Sequence, residues 1–141
     1  MNIHLSNYTF DEISIGQKID FTCTITEELL DKFAEISGDY NPLHMDKNFA
    51  ENTKFKRRIC HGMLLASFFS KLVGMHLPGK NSLYFSQSLN FISPCFLGDE
   101  IIVKGEIMAK SNSTRIVTVK TLIERHDQIL VRGEAKVLLM K

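Results

Sequence analysis

Two hydrophobic periods divide this chain near residue 80. Ahead of that point the apolar positions recur at helical spacing, and beyond it they alternate. In "TEELLDKFAEIS" (26–37) Leu29, Phe33 and Ile36 fall on one helical face, which Leu30 and Ala34 widen. Thr26 is a natural N-cap, Glu27 and Glu28 suit the positive end of a helix dipole, and Gly38 suits a left-handed stop. The spacing therefore predicts an amphipathic helix over 26–37.

"HGMLLASFFSKLVGMHL" (61–77) differs in kind. From Met63 to Val73 only Ser67, Ser70 and Lys71 interrupt the apolar residues, so this helix is expected to be surrounded by protein until Pro78 and Gly79 end it. Two-residue alternation then marks strands over 84–92, 100–109, 114–123 and 129–140, separated by "SPCFLGD", "KSNS" and "HDQ". In the last of these Val131, Gly133, Ala135, Val137 and Leu139 share one face. With "KIDFTCTI" (18–25) the sheet should have about five strands. An all-apolar helix needs a wrapper, and a curved antiparallel sheet is the element left to supply it. The prediction is one α+β domain spanning 1–141.

Composition narrows the role more than the fold. Seventeen basic residues against 16 acidic ones give a formal net charge of +1, so nothing recommends a nucleic-acid partner. Cys23, Cys60 and Cys95 are widely spaced, without a C-x-x-C pair, which argues against a disulfide framework or a zinc knuckle. The N-terminus "MNIHLSNYTF" lacks the basic and apolar regions of a leader, and no window approaches a membrane span. A cytoplasmic protein with reduced thiols is expected.

The candidate chemistry lies in "SGDYNPLH" (37–44). Gly, Asp, Asn and Pro are ordinary turn formers, yet this turn also gathers a carboxylate, a carboxamide and an imidazole. Pro42 biases Asn41 away from helical angles, so 39–44 should be a non-helical turn in which Asp39 and His44 converge. A short helix near Asp46 and a basic stretch with Lys54, Lys56, Arg57 and Arg58 follow before the apolar helix begins. Long excursions of this kind are often functional.

"SGDYNPLH", followed in order by "CHGMLLASFFSKLVG", "LPGK" and "FLGDEI", resembles the MaoC-like (R)-specific enoyl-CoA hydratases, and the likeness runs over nearly the whole chain. The resemblance implies a hot-dog fold, with an antiparallel sheet wrapped around a central helix, and a homodimer whose sheets pair edge to edge. It also implies hydration of trans-2-enoyl-CoA to (R)-3-hydroxyacyl-CoA, with Asp39 and His44 as the acid/base pair. Further, it implies a thioester-oxygen hydrogen bond at Gly62 and a supporting role for Ser70.

The reaction itself explains these residue types. Water must lose a proton, the α-carbon must gain one, and charge grows on the thioester oxygen. A carboxylate and an imidazole suit the first two tasks. Asp39 would need apolar cover, expected from the long helix, to become an effective base. Backbone N–H groups at a helix N-terminus suit the third task, and Gly62 lets a thioester approach closely.

Asn41 has two open roles, orienting the water or bracing the turn. His61, beside a helix start, reads as a capping or packing group. The Ser70 hydroxyl, inside a buried helix, is expected to bond back to an i−4 carbonyl. Cys60 lacks an evident partner for nucleophilic catalysis. The five histidines show no H-x-x-x-H spacing, so neither metal nor cofactor is expected.

Lys54, Lys56, Arg57 and Arg58 are candidates for the phosphates of coenzyme A or for an acidic acyl carrier protein, although an exposed basic patch reads equally well. Leu72 and Val73 are expected to line the acyl pocket. Alternatives on the same fold are a (3R)-hydroxyacyl-carrier-protein dehydratase, a thioesterase, and a non-catalytic acyl-CoA binding module.

Overall fold

Polar caps set the first elements. In a computed structural model that describes residues 3–141, strand β1 (Lys18–Thr24) leads into helix α1 (Glu27–Ser37). The Thr26 side chain accepts from the Leu29 N–H at 3.2 Å, and Gly38, at φ 78°, donates to the Ala34 carbonyl at 2.8 Å. Both ends fall where the sequence placed them.

The next segment corrects an expectation. Instead of a wholly non-helical turn, Pro42–Met45 forms a one-turn helix, α2, that contains His44. Pro42 occupies its first position, where no N–H is required, and the Asn41 side chain caps it by accepting from the Leu43 N–H at 3.0 Å. The bias that proline imposes on its predecessor thus sets the helix start. Helix α3 (Lys47–Glu51) begins, as expected, behind Asp46, whose carboxylate accepts from Phe49 N–H at 3.1 Å.

Helix α4 (Gly62–Lys71) is shorter than the apolar run, which continues as a π-helical segment, Leu72–His76. Nor is α4 surrounded on every side by this chain. Leu64, Leu65 and Phe69 are buried, whereas Met63, Ser67, Ser70 and Lys71 are exposed. Apolar content reveals that a face can be covered, not that its own chain covers it.

The remaining strands are β2 (Ser82–Gln87), β3 (Asn90–Phe91), β4 (Glu100–Ser111), β5 (Ile116–Arg125) and β6 (Gln128–Leu139). They form a six-stranded antiparallel sheet in the order β1-β4-β5-β6-β2, with β3 also on β6. The strand expected over 84–92 is split in two at Ser88 and Leu89. There Gly133 lets the chain approach β6, since an added Cβ would lie 1.8 Å from the Ser88 carbonyl oxygen.

Bulges at Phe85 in β2, Met108 in β4 and Leu130 in β6 add local bend and twist to the sheet. Val131, Ala135, Val137 and Leu139 are buried on the inner face, as the alternation predicts. One core cluster joins Leu65, Phe69 and Leu72 to Ile25, Leu30, Val103 and Val131, and a second joins Val73 and Leu77 to Phe10, Val119 and Val137. Gly105 marks the close contact, because a Cβ there would lie 2.9 Å from Leu72 Cδ2. This is the hot-dog arrangement, a sheet curled over one helix whose N-terminus opens toward the turn at residue 39.

Candidate active site

The left-handed Gly38 turns the chain out of α1, so Asp39 stands between two helix ends. Its N–H donates to the Ser37 hydroxyl at 3.1 Å, and its Oδ1 accepts from the Asn41 N–H at 3.1 Å. Turn chemistry and a displayed carboxylate therefore coexist, with Oδ2 left for other work. The Asn41 carboxamide oxygen is occupied by Leu43 N–H, so that atom braces the turn. The expected apolar cover of Asp39 by the long helix is missing, and the residue is exposed.

His44 is fixed from three sides. Its Nδ1 lies 2.9 Å from the Ile59 carbonyl, which can only accept, so Nδ1 carries the proton and Nε2 presents the lone pair. Its backbone N–H donates to the Asn41 carbonyl at 2.9 Å. Its own carbonyl accepts from Arg58 Nε at 2.6 Å, while Arg58 Nη1 pairs with Glu27 at 2.9 Å. Arg58, expected among the phosphate candidates, is thus enclosed as a brace between α1 and α2.

Of the two readings of His61, capping and packing, the structure bears out packing. Its side chain caps nothing, is 1% exposed, and donates from Nε2 to the Asp39 carbonyl at 3.0 Å. The ring stacks on His44 at 4.2 Å between centroids and meets Phe33 edge-on at 4.9 Å. Burial pushes its pKa below the usual histidine range, against the opposing hydrogen bond to Asp39. The signal available was the "HGM" string itself, an imidazole directly preceding the helix whose N–H groups face the turn.

Asp39, His44, His61 and Gly62 line one cleft of about 500 Å³, walled by Phe91, Ile92, Pro94 and Cys95. Gly62 opens α4, so its N–H has no partner within the helix, and a Cβ there would sit 2.9 Å from the Phe91 ring. Ligand-type atoms of Asp39, His44 and His61 lie within 4.8 Å of one another. An ion bound to both imidazoles would have to lie about 2 Å out in both ring planes, which stacked rings do not permit.

Ser70 is not brought into this cleft. It lies on the exposed face of α4 in a separate groove of about 400 Å³ with Phe33, Ser67, Tyr84 and Leu89, and only Met63 lines both hollows. Among the described residues its hydroxyl makes no hydrogen bond, and the back-bonding hydroxyl on this helix is Ser67, to the Leu64 carbonyl at 2.6 Å. Lys56, Arg57 and Arg58 flank a third hollow with Lys47, outside the cleft. Lys54 rests over Phe55 and Arg57 over Phe96.

Leu72 and Val73, expected in the acyl pocket, are 0% and 1% exposed and belong to the core. Cys60 is a poor nucleophile, because the neighbouring Cys95 thiol and burial push its pKa upward.

A hot-dog fold thus gathers a carboxylate, an oriented imidazole and a helix N-terminus around one cleft, groups able to carry acid/base chemistry. The MaoC like domain family model matches residues 11–128, and the chain belongs to that family. It is 44% identical to an (R)-specific enoyl-CoA hydratase of Aeromonas caviae, over 90% of this chain and 96% of that one. It is 35% identical to a mitochondrial 3-hydroxyacyl-[acyl-carrier-protein] dehydratase of Arabidopsis thaliana, over 90% of this chain and 78% of the other. Among solved structures, the R-hydratase PhaJ1 from Pseudomonas aeruginosa superposes with a TM-score of 0.92 at 36% identity, covering 96% and 87% of the two chains.

Proposed function

We propose that this chain is a hydro-lyase that adds water to trans-2-enoyl-CoA, giving (R)-3-hydroxyacyl-CoA, and runs the reverse dehydration. The observation that carries this is the pairing of two free acceptors, Asp39 Oδ2 and His44 Nε2, beside the Gly62 N–H in one cleft. A water donating one hydrogen to each acceptor turns a lone pair toward the β-carbon. As the C–O bond forms, the pair takes one proton from the water, and the electron pair of the double bond moves onto the thioester oxygen. Gly62 N–H stabilises that oxygen. The proton then returns from the same pair to the α-carbon, so both new bonds form on one face and atoms balance without a cofactor. The R sense of addition rests on the relatives that carry it in their names.

The partners follow from the surface. β2 is a sheet edge carrying Leu83, Tyr84 and Phe85, of which Phe85 is 71% exposed, and it lies beside the groove on α4. Pairing with β2 of a second copy would cover both, so we read the protein as a homodimer, each chain forming one domain over 1–141. We keep Lys54, Lys56 and Arg57, which lie outside the cleft, as the candidates to meet coenzyme A phosphates, whereas Arg58 braces His44. We place the enzyme in the cytoplasm, in fatty acid metabolism.

The test follows loss of the conjugated enoyl absorbance of crotonyl-CoA. Wild type should bleach it, and folded Asp39→Asn and His44→Ala should each lose at least about 100-fold. Inert wild type on short and medium chains would refute the reading. A second reading, action on carrier-protein thioesters, is favoured by the Arabidopsis relative's name, and faster turnover of the carrier-protein thioester than of its CoA counterpart would establish it.

A further inference from the structure

The hydratase reading uses Asp39, His44 and Gly62 and leaves a third, buried titratable ring unexplained. Its Nε2 donates to the Asp39 carbonyl at 3.0 Å, so the neutral ring leaves Nδ1 as a lone pair. Among the described residues that buried Nδ1 has no hydrogen-bond partner. An orphaned buried acceptor is a cost that an apolar ring of similar shape would avoid. The same imidazole lies 4.2 Å from His44, centroid to centroid, with an interplanar angle of 30°. It therefore touches the main chain of one member of the pair and the ring of the other, which belong to different elements. A polar atom kept at a loss of stability marks a place where function overrides packing.

Resting on the hydratase reading, we propose that His61 is a positioning residue. Its Nε2–H fixes the main chain that presents the Asp39 carboxylate, and its ring face fixes the plane in which His44 Nε2 meets the same water. It touches no reacting atom. Its role is to hold two acceptors on separate elements at one spacing, and a displacement of about 1 Å between them is enough to cost roughly 100-fold in rate. Low proton affinity serves this role. Burial disfavours the charged form of the ring, so no positive charge beside His44 opposes its uptake of the proton taken from water.

The test compares full-length wild type, His61→Phe, His61→Gln and Asp39→Asn on crotonyl-CoA, with thermal melts of each. His61→Phe keeps an aromatic face and removes both the donor and the orphaned acceptor. It should melt at or above the wild-type temperature while kcat falls by about 30-fold or more and KM stays within about threefold. His61→Gln restores an amide N–H near the Nε2 position and should recover at least about fivefold in kcat over His61→Phe.

A merely structural residue would give the opposite pattern, lower melting with kcat per folded molecule unchanged, and that result overturns the proposal. So does equal kcat in the Phe and Gln variants, or failure of both to fold. If wild type is active and Asp39→Asn is dead while His61→Phe keeps full kcat, this inference fails and the hydratase reading survives. If wild type itself is inert, the hydratase reading fails first and this inference falls with it.

Discussion

Gly62→Ala tests the third component of the chemistry in isolation. The added Cβ would lie 2.9 Å from Phe91 Cδ1 and Cε1, about half an ångström or more inside the ~3.5 Å at which carbons make good contact. Phe91 is 52% exposed on the two-residue strand β3, so its ring can swing into the cleft rather than push the helix. The cost in stability should be under about 1 kcal/mol, partly offset by alanine's helix propensity over glycine. The cost in catalysis should be far larger. Methyl and displaced ring both occupy the thioester's path to the N–H, and losing one such donor removes about 3 to 4 kcal/mol from the transition state, or 100- to 1000-fold in kcat. Because the hydrogen bond strengthens as charge reaches the oxygen, kcat and kcat/KM should fall together. The assay is loss of enoyl absorbance under saturating and limiting crotonyl-CoA, with circular dichroism to verify folding. A folded variant whose kcat stays within about threefold of wild type would remove Gly62 from the mechanism.

Arg58→Ala breaks the hydrogen bonds to the His44 carbonyl and to Glu27, and should cost about 1.5 to 3 kcal/mol in urea unfolding and lower kcat. A raised KM for the CoA substrate with unchanged stability would instead make Arg58 a phosphate contact. Acid should destabilise the fold through His61 and His76, whose pKa values burial depresses, with His44 adding to the effect at His61 and Lys71 and His4 at His76. Since the unfolded rings titrate near 6.5, this stability is complete above that value and is lost as pH falls below it toward the folded pKa values, because only the unfolded chain takes up the protons. The urea midpoint should drop between about pH 7.5 and about pH 5.5, and His76→Phe should flatten the slope. A Phe85→Glu change on the exposed edge strand should convert the proposed dimer to monomer in sedimentation velocity; an unchanged dimer would place the interface elsewhere.

Local chemistry was legible because it acts over a few residues. Thr26, Gly38 and Asp46 mark their helix ends, and the alternation from Val131 to Leu139 faces the core as written. Asp39 and His44 do converge, through a short helix that Pro42 starts rather than prevents. What sequence spacing could not supply were contacts between distant segments. The Ile59 carbonyl that sets the His44 tautomer, the Arg58 clamp back to Glu27, and the reach of His61 to Asp39 each join residues 15 to 31 positions apart. Ser70, whose supporting role the resemblance alone implied, lies in the groove on the outer face of α4, because helical periodicity gives a face and not its neighbour. Leu72 and Val73 are apolar enough for a pocket, but the curl of β4 and β6 closes over them.

The misjudged burial of α4 and the unexpected exposure of Asp39 have one geometric root. Met63 lines both the catalytic cleft and the groove on α4, so the exposed helix face, the edge strand β2 and the open side of the cleft form a continuous surface. A second copy on that surface under the proposed dimer would surround α4 as its composition demands. It would also narrow the solvent path to Asp39, where a less hydrated carboxylate is a stronger base. The three anchors, the buried His61 beneath the pair and the partly buried Arg58 behind it and Gly62 at the helix start, are held by the chain's own contacts and need no such help. Positioning then belongs to the single chain and desolvation to the assembly. An edge-strand variant that dissociates should therefore keep the His44 geometry and lose rate chiefly through the exposed carboxylate.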